Sequence, residues 1–369
     1  MKDLKLENAT KGRHAPPPTG EPPKNRQSSG GAVPKAYGPQ NGLGAGARVF
    51  AALAAAALAF PLYQAGVYFS ATLKAPPEEP QKTVEAPINN AEWRNMTAGL
   101  ENASASYSGR VGIYLKDLHT GKTWQYNPDR LFPSASLIKL PIMAAVFEKI
   151  KAGELTLDTQ IKLSRQDRWG GSGSLKWVRE GTNLSVMEIL YKMITESDNT
   201  ATRMFIDYLG LDFLQLEFSR LGLLYTKIYS EGLSLTSGRV ARENYTTARE
   251  MAGMLEQIYK GKLVDKDASE QMLDFLKHNK SRSRLRRGLP MGWEIGHKTG
   301  LLRKSCHDVG IVFSPRGDYI IAVLTSNVPN YSSAKNFISR VAKLTYKYYR
   351  IDADYAQSRA DTAFTVRGI

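Results

Sequence analysis

Hydrophobic and polar residues follow two different rhythms along this chain, and the rhythm changes twice. Gly112–Asp117 and Lys122–Tyr126 carry strand-like spacing on either side of His119-Thr120-Gly121, a turn-forming trio. After Phe132-Pro133-Ser134-Ala135, apolar residues recur at helical spacing: Leu137, Leu140, Ile142, Met143, Val146 and Phe147. Ser185–Ile194 and Thr200–Tyr208 keep that helical period, with 197–199 breaking it between them. Strand-like runs return at Trp293–His297, Asp308–Phe313 and Tyr319–Ser326, the last two joined by the turn Pro315-Arg316-Gly317-Asp318. A helical period over Ala334–Tyr348 closes the series. Strands, then helices, then strands predict an α+β domain whose sheet is closed by both ends of the chain.

The flanks read differently. Residues 1–48 are rich in Pro, Gly, Lys and Asn and have almost no apolar clusters, so they cannot bury enough surface to fold and are expected to be disordered. Residues 49–73 form the one long apolar stretch, long enough to cross a bilayer despite Pro61 and Gln64. Lys24, Arg26, Lys35 and Arg48 precede it, which predicts a cytoplasmic N-terminus. A cleaved signal peptide has a much shorter lead, so the stretch reads as an uncleaved signal anchor with the rest of the chain outside the cytoplasmic membrane. Residues 74–90, with Pro76, Pro77, Pro80 and Pro87, read as a stiff tether, and 351–369 as a loose tail. Residues 91–350 are left as the folded domain.

Composition adds exclusions. The formal net charge of +15 is densest at 277–287, Lys-His-Asn-Lys-Ser-Arg-Ser-Arg-Leu-Arg-Arg. No aromatic interleaves that run, and an exported domain does not meet the genome, so no nucleic-acid partner is expected. The run reads as a solvated basic surface, with attraction to anionic envelope polymers second. The single cysteine, Cys306, forms no internal disulfide and reads as a small apolar strand residue. No zinc-ligand spacing and no phosphate loop occurs, so no metal and no cofactor is expected.

Three short strings carry candidate chemistry: Ser136-Leu137-Ile138-Lys139, Ser197-Asp198-Asn199 and Lys298-Thr299-Gly300. Ser136 and Lys139 stand at i and i+3, sharing one face of a helix. A serine hydroxyl is a weak nucleophile until a base takes its proton, and a lysine serves when burial or a neighbouring cation lowers its pKa. Lys298 is a candidate for that cation. Ser197 is placed to relay a proton to a leaving nitrogen, and the Asn199 amide to hold a substrate carbonyl and Lys139 together. Lys298 and Thr299 offer a charge and a hydroxyl to a carboxylate, and Gly300 permits close approach. Backbone N–H groups near the helix start, at Ser134 or Ala135, are candidate oxyanion donors. Taken alone, Ser197-Asp198-Asn199 is better explained as a helix-capping turn.

In this order and these contexts, the three strings resemble those of the class A β-lactamases and related penicillin-interacting serine hydrolases. The resemblance spans about residues 91–350 and includes Gly181-Thr182, Asn244-Tyr245-Thr246-Thr247 and His307-Asp308-Val309-Gly310-Ile311-Val312. It implies a β-lactamase/transpeptidase-like α+β fold, with an antiparallel sheet flanked by helices, an all-α subdomain and the site between them. It implies an acyl-enzyme on Ser136, with Lys139 and Ser197 catalytic, and Asn199, Lys298, Thr299, Gly300 and Leu301 binding substrate. The family's deacylating glutamate falls at Glu231. There the pattern Glu-x-x-Leu-Asn becomes Glu231-Gly232-Leu233-Ser234-Leu235, with Leu235 in place of the amide unless Ser234 substitutes for it, and Tyr229-Ser230-Glu231 reads equally as an ordinary polar loop. The family's carboxylate-binding arginine has no match; His307 stands near its place, with Arg303 and Lys304 close by in sequence as candidate substitutes. The expected function is β-lactam hydrolysis by a membrane-anchored enzyme with a monomeric catalytic domain. A D-alanyl-D-alanine carboxypeptidase acting on peptidoglycan stem peptides and a non-hydrolytic penicillin-binding sensor stay open as alternatives.

Overall fold

The computed structural model describes residues 90–234 and 240–351. The expectations for 1–48, for the apolar stretch 49–73, for nearly all of the tether, for Leu235 and for the tail beyond Ile351 lie outside the described residues. Among the described residues, no helix is long and apolar enough to cross a membrane.

The expected hairpin forms from β1 (Arg110–Asp117) and β2 (Thr123–Tyr126). Its turn is held by the Asp117 carboxylate, which accepts from the His119 and Thr120 N–H groups at 3.0 and 2.7 Å, while Gly121 supplies a φ of 72°. Short pairs follow: β3 (Phe132–Pro133) with β6 (Tyr245–Thr246), and β4 (Gln160–Lys162) with β5 (Asn183–Ser185). The chain returns as β7 (Glu294–Leu302), β8 (Ser305–Phe313) and β9 (Tyr319–Ser326), giving an antiparallel sheet of order β2-β1-β9-β8-β7. The first strand thus pairs with the last, as an α+β domain closed by both chain ends requires.

Both faces of this sheet are covered, which explains why β8 and β9 are apolar along most of their length rather than alternating. The two-residue period sorts their side chains between two cores. Val309, Ile311, Ile320, Ala322 and Leu324 pack towards the helical subdomain. Val312, Tyr319, Ile321 and Val323 pack with α1 (Asn90–Ala105) and the C-terminal helix.

The helical subdomain is built around α2 (Lys139–Lys151), where every residue from Lys139 to Phe147 is buried. A helix apolar all round belongs in the middle of a bundle. Around it lie α3 (Val186–Thr195), α4 (Asn199–Leu209), α5 (Leu211–Arg220), α6 (Ala248–Tyr259) and α7 (Lys266–Lys277). Their starts are encoded locally. Ser185 and Glu188 form a capping box on α3, Asp198 caps α4, Thr247 caps α6 and Asp265 caps α7. A short α8 (Leu285–Gly288) precedes β7, and α9 (Tyr331–Tyr349) lies behind the sheet.

Two expectations shift. The helix after Ser136 starts only at Lys139; Ala135–Ile138 is a tighter 3₁₀ turn, entered through Ala135 at φ 47°. The strand read over Trp293–His297 extends further, as β7 to Leu302, so Lys298-Thr299-Gly300 lies inside it.

Candidate active site

Three elements deliver the three strings to one place. The 3₁₀ turn brings Ser136 to the N-terminus of α2, the α3–α4 connection brings Ser197, and the outer strand β7 brings Lys298. Ser197 sits at φ 55°, a left-handed conformation that a serine adopts only when its surroundings impose it. Those surroundings are Asp198. Its fully buried carboxylate caps Ala201 at 2.9 Å and accepts from the Leu175 N–H at 2.8 Å. A Cβ on Gly173, which has φ 101°, would lie 2.1 Å from the Asp198 side chain, so the 169–175 loop packs directly on that carboxylate. The capping reading of this string holds, and the cap fixes the turn in which Ser197 sits.

The polar centre is compact. Lys139 Nζ donates to the Ser197 carbonyl at 2.5 Å, to Ser197 Oγ at 3.3 Å and to Asn199 Oδ1 at 2.8 Å. Lys298 Nζ donates to the same Ser197 Oγ at 2.9 Å and to the Thr299 carbonyl at 3.1 Å. The Asn199 amide nitrogen donates to the Gly170 carbonyl at 2.8 Å. Two lysines thus bracket one serine hydroxyl, and both are buried. Burial pushes the Lys139 pKa far below the ordinary lysine range, and the Lys298 charge pushes it further. Burial, then the Arg284 guanidinium, bring Lys298 down to about 7. Removing an ammonium from water is costly, so the neutral amine gains.

These groups border a cavity of about 710 Å³ lined by Ser136, Lys139, Ser197, Asn199, Thr299 and Leu301, among others. Gly300 explains how β7 comes so near Ser136: a Cβ there would stand 3.2 Å from Ala135 Cβ and 3.1 Å from the His307 ring. As the outer strand, β7 turns one backbone edge away from the sheet.

Other expected residues are placed differently. Glu231 opens a 3₁₀ turn, Glu231–Leu233, whose Gly232 and Leu233 line the cavity. Its own carboxylate is not among the lining groups; it accepts from Ser230 Oγ at 3.0 Å and lies 3.7 Å from Arg242 Nε. A hydrogen bond from its own backbone, then Ser230, hold its pKa below the usual carboxylate range. His307 is buried and neutral, with burial lowering its pKa to about 4. Nε2–H donates to the Pro133 carbonyl at 2.7 Å, and Nδ1 accepts from the Thr325 N–H at 3.1 Å. A ring so engaged brings no positive charge to a carboxylate. Cys306 is buried in β8, and burial raises its thiol pKa.

Arg284 is the residue that sequence reasoning missed. It lies in the basic run read as solvated surface, yet it is only 5 % exposed. Its Nε donates to Cys306 Sγ at 3.3 Å, and the residue lines the cavity near Lys298. Its φ of 59° and the neighbouring Leu285 N–H, bound to Asp308 at 3.0 Å, turn it inward, away from exposed Arg282 and Arg287. Asp308 is itself held by His297 at 2.9 Å. No spacing or composition signal separates Arg284 from its exposed neighbours.

Comparison with known proteins gives a consistent picture. The model of the beta-lactamase enzyme family matches residues 95–349. Beta-lactamase VEB-1 of Pseudomonas aeruginosa is 27 % identical over 71 % of this chain and 92 % of its own length. A beta-lactamase of Streptomyces albus G is 32 % identical over 65 % of this chain and 78 % of its own. Among solved structures, a beta-lactamase from Sphaerobacter thermophilus superposes with a TM-score of 0.65 at 29 % identity, covering 71 % of this chain and 98 % of that one. The structure of PBP-A gives 0.64 at 28 % identity, covering 69 % and 95 %.

Proposed function

The chain belongs to the beta-lactamase enzyme family, and from that premise we propose that it opens β-lactam rings through an acyl-enzyme on Ser136. The observation that carries this reading is the double engagement of Ser197 Oγ by Lys139 and Lys298, beside the Ser136 turn. Lys139, whose pKa is lowered by burial and then by the Lys298 charge, takes the Ser136 proton in its neutral form as Oγ bonds to the lactam carbonyl carbon. The Ser134 N–H, one of the expected oxyanion donors, is bound to the Asn244 carbonyl at 2.6 Å, so the N–H groups of Ser136 and of Leu301, on the outer strand β7, are assigned to the developing oxyanion. As the C–N bond breaks, the proton passes from Lys139 through Ser197 Oγ to the leaving nitrogen. Asn199 holds Lys139 and the substrate amide in register, while Lys298, Thr299 and Arg284 take the substrate carboxylate.

Hydrolysis then requires a water at the ester carbonyl, and Glu231 is the residue we assign to it. Its side chain is 38 % exposed, and its contact with Arg242, itself 66 % exposed, is of the solvated kind that contributes little. Turning from Arg242 to a cavity lined by the next two residues is therefore an inexpensive step. We also propose that residues 49–73 anchor the chain in the cytoplasmic membrane with the catalytic domain outside, supported by their apolarity and the basic flank. A carboxypeptidase or a penicillin sensor uses the same acylation chemistry; slow loss of the adduct favours those readings.

The test is mass spectrometry of the full-length chain mixed with benzylpenicillin. A penicilloyl adduct is expected on Ser136, absent in Ser136→Ala, and lost at least tenfold more slowly in Glu231→Gln. An adduct on another residue in Ser136→Ala sinks the nucleophile assignment. An unchanged rate of loss in Glu231→Gln removes Glu231 from hydrolysis.

A further inference from the structure

The tip of the β7–β8 hairpin carries two consecutive residues in the left-handed region, Arg303 at φ 39° and Lys304 at φ 59°. Tight hairpins of this kind favour Asn or Gly at such positions, so two long cationic side chains here are costly without compensation. The compensation is visible at Arg303. Its Nε and Nη2 donate to the two carboxylate oxygens of Glu243 at 3.0 and 2.9 Å. Nη1 donates to the Ser234 carbonyl at 2.6 Å, and Nη2 also reaches the Gly232 carbonyl at 3.3 Å. The two side chains are only 8 % and 12 % exposed, unlike the solvated Glu231–Arg242 contact. On its other side the tip is tied to the segment between β9 and the start of α9: the Val328 N–H donates to the Lys304 carbonyl, and the Lys304 N–H to the Tyr331 hydroxyl.

Arg303 therefore spans two walls of the catalytic cavity. One wall is Leu301 and Leu302 on the hairpin; the other is Gly232 and Leu233 on the loop. A Cβ on Gly232 would stand 2.4 Å from Asn244 Oδ1, so that loop has no room to retreat towards Asn244. In the acyl-enzyme reading, on which this step rests, the substrate carboxylate lies towards Lys298 and Arg284. The acyl side chain must leave the reacting carbonyl in the other direction, between these walls.

We propose that Arg303, through its forked pairing with Glu243, sets the width available to the acyl side chain and so selects β-lactams with slender side chains. Glu243 does not line the cavity. Its loss frees the loop without removing any group from the substrate's path, which separates a strut from a simple steric block.

The test uses the full-length chain and two penicillins, benzylpenicillin with its slender phenylacetyl group and a penicillin with a 2,6-dimethoxybenzoyl group, branched next to the amide. The readout is the second-order rate of adduct formation, which is independent of whether the adduct later hydrolyses. Glu243→Gln and Arg303→Ala are each expected to raise the bulky-to-slender rate ratio at least tenfold, with the benzylpenicillin rate itself within threefold of the unaltered chain. Arg303→Lys, which keeps the charge and loses the fork, is expected to raise the ratio as well. An unchanged ratio in Glu243→Gln overturns the proposal, as does an equal fall of both rates in all three variants. Failure of the unaltered chain to be acylated by benzylpenicillin overturns the acyl-enzyme reading instead.

Discussion

Lys139 and Lys298 are buried and Ser197 is half-buried, and their polar atoms meet one another. The Glu231 carboxylate, on the loop that carries Gly232 and Leu233, is 38 % exposed and meets Ser230 and Arg242. In the first region, every charge is perturbed by its neighbours in the direction that acyl transfer needs. In the second, the perturbing groups are solvated and weak. A buried network has one arrangement because any other leaves polar atoms unpaired, whereas an exposed carboxylate has several of similar energy. On the proposed assignments, the half-reaction that forms the acyl-enzyme is preorganised, and the half-reaction that breaks it depends on a side chain that must first move.

The sharpest way to break this contrast is Lys139→Ala. If the buried cluster is the acylation machinery, losing its base slows adduct formation by about 10²–10⁴. Non-covalent capture of substrate should change little, because Lys298, Thr299 and Arg284 remain. Stopped-flow acylation against benzylpenicillin reads both. A wild-type rate in the variant makes Lys139 a structural lysine and removes the contrast altogether.

Arg284→Ala tests the carboxylate end of the same cluster with a smaller expected effect. A hydrogen bond to a charged group contributes about 1.5–3 kcal/mol, or roughly 10- to 100-fold in KM, with kcat within a few-fold. Its pH dependence sharpens the assignment. Lys298 is held at about 7, so in the free enzyme it is charged below that pH and neutral above it. Carboxylate capture by Lys298 is therefore present at pH 6 and fades by pH 8. In Arg284→Ala the neighbouring charge that helps to hold Lys298 down is gone, so Lys298 keeps its proton to higher pH and the rise of KM should shift upward in pH. An unshifted profile would mean that Arg284 and Lys298 do not act together at the carboxylate end.

The same contrast explains what was legible in the sequence. The polar centre was readable because each of its strings is contiguous and its chemistry demands those residue types. The long elements were readable because one buried face repeats at 3.6 or 2 residues. Strands of two or three residues, such as Phe132–Pro133 and Gln160–Lys162, are too short to carry a period. The third string looked like a strand end because 296–300 carry no large apolar side chain, although all five lie within β7. Arg284 and the Arg303–Glu243 fork were invisible for another reason. Arg284 carries the same letter as its exposed neighbours, and the fork joins residues 60 positions apart. Only the fold decides which of many surface-type charges are turned inward.

The smallest expected effect lies in the exposed region, at Arg242→Ala. Removing the guanidinium frees Glu231 from its one cationic neighbour among the described residues without touching a cavity-lining group. If the carboxylate must leave Arg242 to reach the hydrolytic water, the variant should lose its penicilloyl adduct faster. The contact is solvated and 3.7 Å long, so the gain should stay under about fivefold. Acylation should not change, since the buried cluster is untouched. High salt should mimic the variant in the unaltered chain, because screening acts on this exposed pair far more than on the buried lysines. A deacylation rate that falls in Arg242→Ala would mean that the ion pair itself is the productive arrangement. Glu231 would then be preorganised after all, and the difference between the two regions would be one of solvent exposure alone.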